Sequence, residues 1–249
     1  MMIKNPKSII EQFIFRAKNY LDRPAIFIEN KIITFREVIN QINIISNNLN
    51  ILCKNEETIA ITMERSFIQI ISMLACLKSD KSYIILDEKI PLNKKKIILK
   101  KLKIKTILID EKNKNFKFKN TKTLNKRTIL KKNKFREKIK HYKNEIVYYI
   151  FTSGSTGEPK GVQISNKNLL SFILNCKKTF KFNKKDKFIL LPYLSFDLSV
   201  FPLWNSLFSG STLFYTTGSD IIYPMNYIKK NKITVYCSVP SQVDVIKNF

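Results

Sequence analysis

The chain reads as an α/β protein built from layered, mainly parallel sheets covered by helices. Three observations predict this. Short apolar runs of strand length alternate with segments of helical periodicity through the chain. Three of its five glycines, Gly154, Gly157 and Gly161, cluster just after one apolar run, where a ligand loop sits at the carboxyl end of a strand. The 249 residues are 44% hydrophobic, enough to bury a real core and too apolar for disorder.

The elements follow in order. Ser8-Ile9-Ile10-Glu11 is a capping box that opens an amphipathic helix toward Tyr20. Residues 24–28 and 32–34 are short strands around the Asn30-Lys31 turn. Thr34-Phe35-Arg36-Glu37 is a second capping box, and apolar residues from Phe35 to Leu52 then recur at helical spacing. Residues 58–62 are a strand. Residues 66–77 are a helix apolar on nearly all sides, hence buried. A strand over 83–86, a helix over 91–101 and a strand over 106–109 follow. Residues 111–144 are basic, Asn-rich and weakly periodic, and read as a loop with a short helix. Beyond them come a strand (146–151), a glycine-rich loop and helix 166–180. Strand 188–191, helix 198–207 stopped by Gly210, strand 211–215, helix 223–230 and strand 234–238 complete the order.

The loop itself is Thr152-Ser153-Gly154-Ser155-Thr156-Gly157-Glu158-Pro159-Lys160-Gly161. Its backbone N–H groups, hydroxyls and terminal ammonium can converge on one polyphosphate. Pro159 precedes Lys160, so it is not the P-loop motif G-x-x-x-x-G-K-[ST]. Downstream, Asp197 stands alone as an acid in the apolar run 191–200. An acid there needs a helix to cap or a cation to meet, and both readings stay open.

From Tyr149 to Gly161 the sequence resembles the phosphate-binding signature [YF]-T-S-G-[ST]-T-G-x-P-K-G of adenylate-forming (AMP-binding) enzymes, with every specified position matched. Thr34–Val38 resembles their T-[YF]-x-E-L segment. Leu77–Asp87 resembles L-K-A-G-G-A-Y-V-P-L-D, with Asp80 and Lys81 in place of both glycines and Ile85 in place of proline. Phe196-Asp197-Leu198-Ser199 resembles the F-D-x-S of the amino-acid-activating members. Together with residues 161–165 it is most similar to the D-alanine–carrier protein ligases. The resemblance implies the N-terminal half of the family's large domain. It covers a first α/β part (1–110), the basic loop-rich segment (111–144), and a part holding the phosphate loop and acyl substrate (145–249). The C-terminal domain with its catalytic lysine is absent, so the expectation is a truncated or split version.

The resemblance also implies site roles. Thr152, Ser153, Gly154, Ser155, Thr156, Gly157 and Lys160 hold the phosphates of ATP, with Mg2+. Asp197 pairs with the α-ammonium of an amino acid, while Phe201 and Cys237 fall at pocket-lining positions where ordinary core packing is an equal reading. The implied reaction is activation of an amino acid as aminoacyl-adenylate, then transfer to a carrier-protein thiol. The alternatives are an acyl- or aryl-acid ligase and a catalytically inactive remnant. A second chain supplying the missing half is a further expected partner.

Composition narrows the other classes. The net charge is +26, and 22 Lys/Arg against three Asp/Glu lie between Lys89 and Asn144. This matches a chain rich in Lys, Asn, Ile and Phe throughout, or a face that attracts an acidic carrier protein. Nucleic acid is disfavoured, because aromatics are sparse in the basic stretch and no binding motif occurs. Cys53, Cys76, Cys176 and Cys237 form no C-x-x-C pair and His141 is the sole histidine, which argues against zinc and for reduced thiols. No apolar stretch is long enough for membrane insertion and no signal-peptide core is present, so a cytoplasmic location is expected.

Overall fold

The computed structural model describes residues 8–133, 142–153, 159–221 and 224–240. The strands are β1 (Pro24–Ile28), β2 (Lys31–Thr34), β3 (Thr58–Thr62), β4 (Ser82–Ile85), β5 (Thr106–Ile109), β6 (Lys122–Asn125), β7 (Ile146–Ser153), β8 (Pro159–Ser165), β9 (Lys187–Leu190) and β10 (Thr212–Tyr215). The helices are α1 (Ile9–Ala17), α2 (Phe35–Leu52), α3 (Phe67–Lys78), α4 (Leu92–Lys101), α5 (Lys126–Ile129), α6 (Asn166–Phe180), α7 (Val200–Ser209) and α8 (Pro224–Asn231).

Two sheets form. The larger runs β6-β5-β3-β4-β7-β8 and the smaller β2-β1-β10-β9. Only β2 and β8, each at a sheet edge, are antiparallel to their neighbours. The inner strands β3, β4 and β5 of the larger sheet are buried on both faces, which is why they read as unbroken apolar runs. Period-two alternation sorts the sheet's side chains. Ile59, Ile61, Tyr83, Ile85, Leu108 and Tyr148 join the main core. Ala60, Ile84, Ile107, Ile109 and Tyr149 face a second core closed by Ile98 and Leu99 of α4. Helix α2 packs on β1 and β2 of the smaller sheet, α3 packs on β3 and β4 of the larger, and the two helices pack on each other between the sheets.

Local chemistry sets the helix starts. Thr34 and Glu37 make both arms of their capping box. Ser8 accepts the Glu11 N–H, the one arm of its box seen here. Gly210 ends α7 at φ 73°, the left-handed geometry that favours glycine. The turn after α3 puts Asp80, where the family pattern has glycine, at φ 59°. Its carboxylate accepts the N–H groups of Lys143 at 3.1 Å and Asn144 at 3.0 Å.

Three expectations need correction. The segment 111–144 contributes a paired edge strand, β6, as well as the short helix α5. The glycine-rich loop does not lead straight into a helix: it joins β7 to the antiparallel β8. Residues 234–238 make one bridge, Val235 to Phe188, and not a strand.

Candidate functional site

The carboxyl ends of the two sheets are tied together by one side chain. Arg65 follows β3 and is largely buried. Its guanidinium donates to the carbonyls of Leu190 (2.6 Å), the last residue of β9, of Leu191 (3.0 Å) and Pro192 (3.0 Å) just beyond it, and of Thr216 (2.8 Å) beyond β10. It stacks over the rings of Tyr215 (4.5 Å) and Tyr193 (5.3 Å). Burial lowers its pKa from the ordinary arginine value, opposed by the nearby phenols and by Asp87 and Glu88. Asp87, beyond β4 and 3% exposed, accepts the Lys89 N–H at 3.0 Å and the Ser195 hydroxyl. The Tyr193 hydroxyl donates to Glu88 at 3.0 Å. Segment 190–196 is thereby fixed against the larger sheet.

That segment delivers Asp197. It opens a 3-10 turn, Asp197–Ser199, and its Oδ1 accepts the N–H of Leu198 at 2.8 Å. The cap position of α7 is Ser199, with no side-chain cap bond. Asp197 therefore does not cap α7. It is exposed, and no cation pairs with it among the described residues. The turn lies over β7: Leu194, Ser199, Val200 and Trp204 line one crevice with Tyr83, Tyr148 and Ile150. Burial, then the charge of Asp197, pushes the Tyr148 phenol well above its ordinary pKa.

Strand β7 carries the argument from Asp197 to the loop. Thr152 lies four residues beyond Tyr148, on the same face by period-two alternation and about 13 Å away. Thr152 pairs with Lys160 across the hairpin, and both are exposed. Cross-strand partners project to one side, so a hydroxyl and an ammonium flank the loop on the face that carries the Asp197 turn. On the opposite face, a Cβ at Gly161 would meet the Phe151 ring at 2.7 Å. Gly161 thus serves the packing of its strand pair. The side chain of Ser153, and Gly154, Ser155, Thr156 and Gly157 as a whole, lie outside the described residues.

Phe201 and Cys237 are brought to one neighbourhood. The Phe201 ring meets the edges of Phe180 and Phe182, both at 5.8 Å, and of Phe172 at 6.4 Å. Its carbonyl accepts the Asn205 amide at 2.9 Å. Burial raises the Cys176 pKa, opposed by Asn205, and burial followed by the charge of Cys176 raises that of Cys237. Ring packing therefore accounts for much of Phe201.

The model of the AMP-binding enzyme family matches residues 13–248. The chain belongs to that family. Among curated relatives it is similar to bacitracin synthase 1 of Bacillus licheniformis, 29% identical over 94% of this chain and 4% of that one. It is also similar to tyrocidine synthase 1 of Brevibacillus parabrevis, 28% identical over 94% and 22%. The chain thus spans under a quarter of these relatives. Among solved structures, the N-terminal subdomain of Klebsiella oxytoca NpsA in complex with 3-hydroxybenzoyl-AMSN superposes with a TM-score of 0.81 at 21% identity, over 92% of this chain and 59% of that one. The Vibrio cholerae adenylation domain AlmE, in complex with glycyl-adenosine-5'-phosphate, gives 0.81 at 19% over 100% and 52%. The layered α/β fold is therefore that of the N-terminal subdomain of adenylate-forming enzymes.

Sequence reasoning located the loop and Asp197 but missed Arg65 and Asp87, which hold the segment between them. A signal existed for Arg65. It is a lone cation between two apolar runs, at the carboxyl end of a strand. No group of three or more His, Cys, Asp or Glu that could hold a metal occurs among the described residues. No helix there is long and apolar enough to cross a membrane.

Proposed function

We propose that this chain binds Mg-ATP and an amino acid and serves in forming an aminoacyl-adenylate, whose acyl group then passes to a carrier-protein thiol. The observation that carries this is an exposed carboxylate, Asp197, that meets no cation among the described residues and lies on the face where Thr152 and Lys160 flank the loop. A carboxylate so placed suits the α-ammonium of an amino acid and gives a plain acyl or aryl acid nothing to pair with. The residues fit ATP: loop N–H groups and the hydroxyls of Thr152, Ser153, Ser155 and Thr156 donate to phosphate oxygens, and Lys160 offsets their charge. Gly154 and Gly157 let the backbone come close. Mg2+ needs no protein cage, since phosphates and waters supply most of its ligands.

In the proposed step a carboxylate oxygen of the amino acid forms a bond to the α-phosphorus, and the bond to the bridging oxygen of pyrophosphate breaks. The chain's part is positioning and charge compensation. Phe201 and Cys237 wall the side-chain pocket. Segments 161–165 and 196–200 support a D-alanine ligase-like substrate, hence a small amino acid. A surface of charge +26 suits an acidic carrier protein. A second chain completing the site, the residue division at 110 and 144, and a cytoplasmic setting belong to the same reading.

Amino-acid-dependent ATP–pyrophosphate exchange, measured over a panel of amino acids with this chain and the second chain that completes the site together, tests it. Exchange with one or a few small amino acids is expected. Exchange that responds instead to fatty or aryl acids would overturn the substrate assignment. No exchange with any acid would favour a non-catalytic remnant.

A further inference from the structure

Asp87 is a buried carboxylate to which the proposed chemistry gives no part. It stands just beyond β4 and is 3% exposed. Its Oδ1 accepts the Lys89 N–H at 3.0 Å, and its Oδ2 accepts the Ser195 hydroxyl. Two cations lie near it. Burial lowers the pKa of Arg65 and of Lys95, and the charge of Asp87 is among those that oppose this in both. A carboxylate taken out of water costs free energy, which only well-met oxygens offset.

The bond to Ser195 falls at a particular place in the chain. Arg65 holds the backbone of segment 190–196 as far as Pro192. The buried Leu194 then ties the segment to the main core. Those contacts already secure it. Ser195 comes after them, two residues before Asp197. Phe196, between the two, is extended (φ −97°, ψ 142°) and 55% exposed, so its ring faces solvent. Among the described residues, the Ser195 hydroxyl therefore makes the last side-chain bond to the larger sheet before the Asp197 turn begins. A hydroxyl bonded to a carboxylate is charge-assisted and directional. Placed there, it sets where the turn starts and so where the Asp197 carboxylate stands.

We propose that Asp87, acting through Ser195, is a positioning residue for ammonium recognition by Asp197. The inference rests on the reading of Asp197 as the partner of an amino acid's α-ammonium. The phosphate loop hangs from β7 and β8, so Mg-ATP binding does not depend on this bond.

D-alanine, and propionate as the same acid without its ammonium, are titrated into the isotope-labelled full chain and its variants. The Leu198 amide, bonded to Asp197 Oδ1 at 2.8 Å, reports on the carboxylate. D-alanine should bind the parent chain at least about tenfold tighter than propionate, the worth of a charge-assisted pair. Asp197→Ala should abolish that preference. Ser195→Ala should cut it by about fivefold or more, with propionate and Mg-ATP affinities changed by less than about twofold. Asp87→Asn removes the charge from the same bond and should also cut the preference. Combined with Ser195→Ala it should cost no more, as expected of one shared interaction. A preference lost in Asp197→Ala but untouched in Ser195→Ala or Asp87→Asn would overturn this inference alone. So would additive losses in the double variant, or equal weakening of D-alanine, propionate and Mg-ATP, which a merely structural bond would give. No preference for D-alanine in the parent chain would overturn the reading of Asp197, and this inference with it.

Discussion

Asp197 is a carboxylate held by its turn and met by no cation among the described residues. Replacing Asp197 by Ala should raise the dissociation constant of the amino acid by at least about tenfold, the worth of a charge-assisted pair. The Mg-ATP constant should change far less. Calorimetry with each ligand separately measures both, and equal losses would count against the assigned role. Gly161 carries a purely steric prediction. Gly161→Ala drives a methyl into the Phe151 ring 2.7 Å away and should cost about 1–3 kcal/mol in urea melts. Adding Phe151→Leu, which removes the ring tip, should recover much of that. At this scale the loop and Asp197 were legible because their signals are local. Arg65 was not, because its partners lie 125 to 151 residues away in sequence.

Among the elements, buried strands, capped helices and the edge strands β2 and β9 were legible, and the edge strands β6 and β8 were not. β3, β4 and β5 are apolar on both faces and could be read directly. β6 (Lys122–Asn125) offers one buried apolar residue, Leu124, among polar neighbours. β8 begins with Pro159 and contains Gly161, residues that argue against a central strand and are tolerated at an edge. The stretch 234–238 has strand propensity, yet the structure pairs it at Val235 alone. At the Asp80 turn the family's glycine conformation persists without glycine, and a carboxylate that caps two N–H groups offsets the strain. The junction of the sheets supplies the prediction at this scale. Arg65→Met leaves the carbonyls at and beyond the ends of β9 and β10 without their donor. It should destabilise the fold by about 1–3 kcal/mol or more, the cost of leaving buried acceptors unsatisfied, and thermal melting measures it. A loss under about 1 kcal/mol would mean the sheets are held by apolar packing alone.

The whole molecule combines a large positive charge with many buried phenols. Burial is the leading cause that raises Tyr83, Tyr142, Tyr148, Tyr215 and Tyr227 above the ordinary tyrosine value, Tyr142 to about 12. A group whose pKa is higher folded than unfolded contributes stability in full below its unfolded value, about 10 for tyrosine, and loses it as pH rises through the folded one. Stability should therefore fall between about pH 10 and 12, and Tyr142→Phe should fall less steeply over that window than the parent chain. Parallel curves would show that Tyr142 ionises as freely folded as unfolded. The fold class was legible because β-α-β order is written in local periodicity. The exchange of strands between the two sheets was not: β1 and β2, early in the chain, complete the sheet of β9 and β10, and nothing local encodes that pairing.

On the proposed function, the loop between β7 and β8 grips a polyphosphate. Titrating Mg-ATP into the chain and into its Lys160→Ala variant by calorimetry tests it most directly. One saturable site is expected, weakened about tenfold or more without the ammonium. Absence of saturable binding, or an affinity that Lys160→Ala leaves untouched, would contradict it.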